Sequence, residues 1–128
     1  MRVKKENEGN SRKKLGFKAE EIAAAYLEEK GFEILKRNFR WQGGEIDIIA
    51  KDEDEVVFIE VRSLTEGTLN PAETISRWKK ERIIRTALYY LAAQGIYDEV
   101  SCRFDFLGIR FKNGKPLIEH IKDAFRDF

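Results

Sequence analysis

The sequence predicts a mixed β-sheet with helices packed against it, which is an α/β or α+β sandwich. Segments with helix and strand patterns occur in the order α-β-β-β-α-β-β, which gives about five strands. Short polar turns separate two pairs of the strand segments, as expected of β-hairpins. The chain has 128 residues, of which 42% are hydrophobic. This is enough for one domain whose core needs no disulfide and no structural metal.

The first helix is predicted over residues 15–31. Apolar side chains recur there at helical spacing, and Gly31 provides a natural C-terminal stop. Residues 32–41 are rich in β-forming side chains and are interrupted by Asn38. This segment is therefore predicted to be one bent strand or two short strands.

Two strands follow, over residues 44–51 and 56–62, and the polar turn between them at residues 52–55 predicts a β-hairpin. After a loop, a helix is predicted to begin at Asn70 and to run to about Gln94. Asn70 is the predicted N-cap, because proline follows it directly and a glutamate lies at the third helical position.

The C-terminal part of the chain predicts a second hairpin. Residues 100–111 alternate between apolar and polar side chains, with aromatic residues on one face and Arg103 and Asp105 on the other. Residues 112–116 form the predicted turn, and residues 117–121 form the last strand.

The formal net charge of +1 is unevenly distributed along the chain. Residues 1–14 carry six basic and two acidic side chains, and we predict that they form a flexible basic arm. The remaining domain, residues 15–128, then has a net charge of −3, which argues against nucleic-acid binding by bulk charge alone. Basic residues cluster at 36–40 and 77–85, and a solvated surface explains either cluster equally well.

The few cysteine and histidine residues narrow the possible chemistry. Cys102 is the only cysteine, so disulfides and a cysteine-based zinc site are excluded and a reducing, cytoplasmic location is expected. His120 is the only histidine, which argues against a histidine-based metal site and a Ser-His-Asp triad. No apolar run approaches the roughly 18 residues that cross a bilayer, so no membrane partner is expected.

The register of the first hairpin brings acidic residues together. A four-residue turn, or equally a two-residue turn, places Asp47 opposite Glu60 and Glu45 opposite Arg62, all on one face. Like charges in such positions are destabilising, and a divalent cation such as Mg²⁺ or Mn²⁺ would compensate them. Two plainer interpretations remain open, a solvated sheet face and a cross-strand ion pair between Glu45 and Arg62.

Short motifs along residues 15–125 resemble the YraN-like family of small bacterial proteins, which are described as predicted endonucleases. Their order and spacing carry the likeness: Gly16-x-x-Ala19-Glu20-x-x-Ala23, Arg37-Asn38-x-Arg40, Gly44-Glu45-Ile46-Asp47, Val57-Phe58-Ile59-Glu60-Val61-Arg62, Arg103-Phe104-Asp105 and Ala124-Phe125. An aspartate, a hairpin turn and Glu-x-Lys also resemble the site of restriction-endonuclease-like nucleases, the PD-(D/E)xK superfamily. The chain is thereby similar to archaeal Holliday junction resolvases, and a restriction-endonuclease-like fold is implied.

The resemblance implies roles for individual residues. Asp47 and Glu60 would be catalytic metal ligands, and Glu20 would complete the acidic cluster, although a helix-surface role fits Glu20 as well. Arg37 and Arg40 would contact phosphates of DNA, but local structure is a comparable explanation for both.

The sequence departs from the superfamily pattern at Arg62, which stands where the family usually has lysine. Arginine stays protonated and does not act as a base, although it can neutralise charge on a phosphate. Lys79, in the second helix, is the best candidate for a replacement lysine, and a surface lysine is the alternative. Lys79 and its neighbour Lys80 are also candidates for DNA contacts.

These observations lead to three hypotheses. The first is an Mg²⁺- or Mn²⁺-dependent endonuclease that acts on DNA, including branched or structured DNA, and that works as a homodimer by analogy with resolvases. The second is a nucleic-acid-binding module that keeps the fold without catalysis, which Arg62 favours. The third is a protein-interaction domain, which the net charge of −3 favours.

Overall fold

The computed structural model describes residues 18–65, 67 and 70–126. The first helix, α1, is described over residues 18–29. The strands are β1 (Glu33–Trp41), β2 (Gly44–Asp52), β3 (Glu55–Ser63), β4 (Ser101–Lys112) and β5 (Lys115–Phe125). A 3₁₀ helix (Pro71–Thr74) and the helix α2 (Arg77–Ala93) lie between β3 and β4. The arm predicted over residues 1–14 and the start of the first helix lie outside the described residues.

The five strands form one sheet in the order β1-β2-β3-β4-β5. All neighbouring pairs are antiparallel except β3 and β4, which are parallel. A parallel pair requires a crossover connection, and the segment containing α2 provides it. The element order and the mixed sheet confirm the predicted fold class.

Apolar side chains cover both faces of the sheet. On one face, Ala23 and Leu27 of α1 pack with residues such as Ile48 and Ile59. On the other face, α2 packs against aromatic residues of the sheet, among them Phe58 and Phe106. Because β2 and β3 are covered on both faces, apolar residues predominate in the buried part of each strand. A charged side chain in these strands is therefore an exception that needs compensation.

The hairpin of β2 and β3 has the predicted register, but its pairing stops before Asp47 and Glu60. Ile48 pairs with Ile59 and Asp52 pairs with Glu55 across a two-residue turn. The described pairing ends at Ile48, before Asp47. The expected direct opposition of Asp47 and Glu60 is therefore replaced by a point where the two strands separate.

The second helix begins later than predicted. Asn70 makes no side-chain cap, and residues Pro71–Thr74 form a short 3₁₀ turn. Ile75 then adopts an extended conformation and is buried in the core, which takes the chain out of the helical path. Ser76 is the actual N-cap, since its side chain accepts a hydrogen bond from the backbone N–H of Lys79 at 3.1 Å.

The structure decides between the two predictions for β1 and extends β5 beyond its predicted end. Residues 33–41 form a single strand with an irregularity between Ile34 and Lys36 and a positive φ of 53° at Asn38. The last strand is longer than residues 117–121 and reaches Phe125, where it pairs with Phe104. The aromatic contacts of this extension were not apparent from local patterning. Within the described residues, neither helix has the length and apolar character needed to cross a bilayer.

Candidate functional site

The two predicted metal ligands meet where β2 and β3 separate. Oδ2 of Asp47 accepts a hydrogen bond from the backbone N–H of Val61 at 2.8 Å. This N–H would otherwise need a partner on the neighbouring strand, so the carboxylate takes the place of a ladder contact. Glu60 precedes Val61 on β3 and is only 7% exposed. Both carboxylates are thus held by the sheet and by no mobile loop.

The surroundings of Asp47 oppose its ionisation. The pKa of Asp47 is raised to about 8; burial is the largest cause, and the negative charge of Glu60 is the next. The hydrogen bond from Val61 acts in the opposite direction, while the charges of Glu20 and Glu45 raise the pKa further. Three further acids, Glu60, Glu20 and Glu45, are therefore close enough to Asp47 to oppose its negative charge.

Glu60 is balanced by two basic side chains. Nζ of Lys79 lies 3.3 Å from Oε1 of Glu60, and Nε of Arg62 lies 3.9 Å from the same oxygen. Lys79 reaches the sheet because it lies in the first turn of α2, which the Ser76 cap fixes over β3. The predicted replacement lysine is thus in contact with a predicted ligand.

An open cleft of about 330 Å³ contains these groups. Its walls come from β2, β3 and the first two turns of α2, and they include Glu45, Asp47, Glu60, Trp78, Lys79 and Arg82. Arg82 donates a hydrogen bond to the carbonyl of Gly43, which joins α2 to the turn between β1 and β2. Gly44 is also required at this junction, because a Cβ atom there would collide with the hydroxyl of Thr86. The cleft is therefore a built feature of the sheet and the helix.

Other predicted residues have their own partners. Glu20 of α1 acts on Asp47 through its charge. Arg37 pairs with Glu21 at 2.8 Å, and Arg40 pairs with Glu45 at 3.6 Å. Lys80 lies over the ring of Phe125, with its Nζ 5.9 Å from the ring centroid.

These contacts decide one of the open alternatives. Within the described residues, Arg62 pairs with Glu60, so the alternative of an ion pair between Glu45 and Arg62 is wrong. The described lining of the cleft does not include Arg37, Arg40 or Lys80. Contacts of these three residues with DNA stay a prediction.

Sequence reasoning did not place Trp78 and Arg82 in the cleft wall, whereas it expected Glu45 on the same face as Asp47 and Glu60. The spacing of Trp78 and Arg82 by four residues within the predicted second helix was the available signal, since such residues share a face.

Sequence reasoning also missed a buried polar network on β4 and β5. Asp105 is fully buried and binds Arg103 at 3.0 Å, His120 at 2.8 Å and the backbone N–H of Asp123 at 2.9 Å. Burial works against its charge, but the hydrogen bonds from His120, Arg103 and Asp123 outweigh burial and lower the pKa of Asp105. His120 also contacts the hydroxyl of Tyr26 at 3.2 Å. A single aspartate inside an apolar strand was the sequence signal for this network.

The donor atoms of the cleft suit a hard divalent cation. Among the described residues, hydrogen bonds and ion pairs engage Oδ2 of Asp47 and Oε1 of Glu60, which leaves one oxygen of each carboxylate for an ion. Mg²⁺ is commonly held by one or two carboxylates and keeps several waters. The described part of the chain places no three His, Cys, Asp or Glu side chains as a ready metal cluster. Any ion here would thus depend on two carboxylates, backbone oxygen and water.

The fold and the cleft define a mixed α/β protein that holds a carboxylate pair between its sheet and its second helix. The chain belongs to the Uncharacterised protein family UPF0102, which it matches over residues 19–109. It is 44% identical over 114 residues to a UPF0102 protein of Geobacter metallireducens, covering 88% of this chain and 93% of that protein. It is 39% identical over 126 residues to a UPF0102 protein of Chlorobium chlorochromatii, covering 93% and 96% respectively. The resemblance to the YraN-like family is thereby confirmed, and the placement in the restriction-endonuclease-like superfamily stays a prediction.

Proposed function

We propose that the protein is a metal-dependent nuclease of the restriction-endonuclease-like superfamily, which hydrolyses phosphodiester bonds in branched or otherwise structured DNA. The observation that carries this proposal is the pair Asp47 and Glu60, which two adjacent strands present in a cleft beside Lys79. Carboxylates with mutual repulsion and burial are typical of sites that hold a divalent cation or act on protons.

Asp47 and Glu60 would hold Mg²⁺ or Mn²⁺ through the oxygens that the described contacts leave available. A bound ion of this kind activates water and polarises a phosphodiester. The hydrogen bond from Val61 fixes the Asp47 carboxylate, so the ligand geometry is set before substrate arrives. Such preorganisation lowers the cost of binding.

Lys79 and Arg62 supply positive charge at the same point. Nζ of Lys79 lies 3.3 Å and Nε of Arg62 lies 3.9 Å from Oε1 of Glu60, so both would lie beside a phosphate bound to an ion on Glu60. Arg62 would stabilise negative charge that develops on the phosphate but would not take a proton. Lys79 would share this role, and its ammonium also orients Glu60.

A second candidate function is DNA binding without cleavage. The observation that favours it is the contact of both cations with Glu60 itself, together with arginine at the usual lysine position. In such a module Arg62 and Lys79 would neutralise the buried carboxylate of Glu60, and a bound divalent ion would have no catalytic role.

Purified protein should cleave branched DNA in the presence of Mg²⁺ or Mn²⁺, and the variant Asp47→Ala should not. Asp54→Ala is a matched control, because Asp54 is an exposed residue of the β2–β3 turn. Cleavage of equal rate by Asp47→Ala would remove the enzyme proposal. DNA binding that survives Asp47→Ala, without turnover in either metal, would favour the second candidate.

The variant Arg62→Lys tests the departure from the superfamily pattern. If the site is catalytic, lysine at this position should retain or increase the cleavage rate, because a compact ammonium replaces the guanidinium beside Glu60. Loss of cleavage in Arg62→Lys would instead show that the reaction needs the guanidinium of Arg62. An enzyme that cuts both strands of a symmetric junction would act as a homodimer. Sedimentation of the protein–DNA complex would measure whether two chains are bound.

A further inference from the structure

The cleft that contains Asp47 and Glu60 continues into two more hollows along α2. The first, about 250 Å³, shares Trp78 and Arg82 with the cleft and extends to Trp41. The second, about 470 Å³, shares Trp41 and Arg85 with the first and ends at Tyr97. Neighbouring hollows share wall residues, so the three lie in a row beside α2, and we call this row the depression.

Aromatic rings line this depression, and some of them face solvent. Trp78 is 64% exposed, although its ring is covered on one side by the guanidinium of Arg82 at 4.4 Å. Trp41 and Tyr89 stack in parallel, with their ring centroids 4.4 Å apart. Beyond them, Tyr97 is 53% exposed. Exposed aromatic groups that share one surface are typical of binding sites.

The charge of this surface is opposite to that of the domain as a whole. The described residues that line the two further hollows include Arg82 and Arg85 and no acidic side chain. Residues 15–128 have a net charge of −3, so the local excess of positive charge is not a general property of the domain. The surface thus combines flat rings with cations, which suits a polyanion that carries planar groups.

We infer that this aromatic surface binds unpaired nucleotides of a DNA strand. Their bases stack on Trp78 and on the Trp41–Tyr89 pair, while their phosphates meet Arg82 and Arg85. The inference rests on the proposed nuclease function and specifies its substrate, namely DNA with a single-stranded segment next to the bond that enters the cleft.

Single-stranded DNA fits better than a duplex, because bases inside a duplex are stacked on each other and cannot offer their faces to protein rings. Stacking on aromatic side chains is also tolerant of sequence, since every base has such a face. A second copy of the chain is the alternative occupant of an exposed aromatic surface. The two arginines argue against it, because self-association would place like charges together.

The test measures binding by fluorescence anisotropy with the full chain and labelled oligothymidine in a chelator, where no cleavage occurs. A duplex of equal length is the comparison. Trp78→Ala should weaken oligothymidine binding ~5- to 100-fold, as expected for the loss of one stacked base. Trp78→Phe should restore most of the affinity. Leu117→Ala should have no effect, since Leu117 is similarly exposed but lies on β5.

A second variant examines the phosphate contacts separately. Arg85→Gln should reduce the slope of log affinity against log salt by about 0.7, which is the value for one contact to single-stranded DNA. Trp78 and Arg85 are both exposed to solvent, so Trp78→Ala and Arg85→Gln should each leave the unfolding midpoint unchanged.

Several results would overturn the inference. One is equal affinity of the protein for duplex and for oligothymidine. Another is oligothymidine binding that Trp78→Ala leaves unchanged. A third is a protein dimer in solution that Trp78→Ala dissociates. Cleavage with unchanged binding by Trp78→Ala would refute the inference and leave the proposed function standing. Strong single-strand binding without cleavage in Mg²⁺ or Mn²⁺ would refute the proposed function and leave the nucleotide surface standing.

Discussion

Individual carboxylates in this protein differ because their hydrogen-bond partners differ. Burial and then the charges of neighbouring acids raise the pKa of Asp47, and its one hydrogen bond from a backbone N–H does not offset them. Asp105 receives bonds from Arg103, His120 and a backbone N–H, so its pKa is lowered despite complete burial. The first arrangement is destabilising in the absence of a cation, and the second stabilises the fold. This contrast separates the proposed metal ligand Asp47 from Asp105, whose charge is neutralised within the fold.

The variant Asp47→Asn should be more stable than the wild type near pH 8 in a chelator. Because the pKa of Asp47 is raised to about 8, the folded state binds an extra proton over the range from about pH 4 to about pH 8. Wild-type stability should thus fall across this range as pH rises, by at most about 6 kcal/mol, at about 1.4 kcal/mol for each of the roughly four units of pKa difference.

Urea unfolding at several pH values measures this effect. Asp54→Asn provides the control, since it removes an exposed acid from the same hairpin. A pH dependence that is identical in the wild type and in Asp47→Asn would contradict the assigned environment of Asp47.

The variant Asp105→Asn should destabilise the fold by about 3 kcal/mol at neutral pH, because it leaves Arg103 with part of its buried charge uncompensated. A lowered pKa contributes stability above the ordinary pKa of the group and loses it as pH falls through the lowered value. The difference between variant and wild type should therefore shrink in acid.

Denaturant titrations at neutral and acidic pH provide the measurement. Asp98→Asn, which changes an exposed acid, should leave the free energy of unfolding unchanged at both pH values. A loss of stability that stays constant down to the most acidic pH would show that the charge of Asp105 is not the cause.

At the scale of elements, the cap of α2 positions the cleft. Ser76 bonds the backbone N–H of Lys79, and the side chain of Lys79 then reaches Glu60. The preceding 3₁₀ turn and the buried Ile75 determine where this helix begins. A helix that began at Asn70 would place different residues over the carboxylates.

Ser76→Ala should destabilise the protein by about 1 kcal/mol, the usual value for a lost N-cap. Asn70→Ala should have almost no effect, because Asn70 makes no side-chain cap hydrogen bond. Midpoints of urea unfolding for the two variants distinguish these expectations. The reverse order of the two effects would mean that the helix begins at Asn70 in solution.

For the whole molecule, the arrangement of layers decides how a bound ion would affect stability. Both carboxylates lie on strands inside the sheet, and α2 covers them from one side. An ion that bridges β2 and β3 would therefore stabilise the folded state only, since the unfolded chain separates its ligands.

Saturating Mn²⁺ should raise the free energy of unfolding by about 2.7 kcal/mol at an ion concentration of about 100 times its dissociation constant. Asp47→Ala should abolish this gain, and Glu99→Gln, at an exposed position after α2, should retain it. Thermal unfolding with and without the ion measures the effect. An equal gain in Asp47→Ala would place the ion elsewhere.

The sequence predicted those features that depend on local periodicity. The element order, the five strands and the pairing register of β2 and β3 follow from apolar patterning and turn residues. The turn itself is shorter than the predicted residues 52–55, because Asp52 and Glu55 still pair. The candidate ligands Asp47 and Glu60 followed from the spacing within one hairpin. The family followed from motif order, and the chain belongs to it.

Other features depend on contacts between distant segments, which local patterning does not contain. The start of α2 at Arg77 depends on the burial of Ile75, and the separation of β2 from β3 depends on the side chain of Asp47 bonding to Val61. The network of Asp105 depends on residues from α1, β4 and β5 that meet only in the folded chain. The sequence by itself determined which strands and helices form and which acids share a hairpin. The tertiary structure alone decided which charges neutralise them, because ion pairs form between side chains that packing brings together.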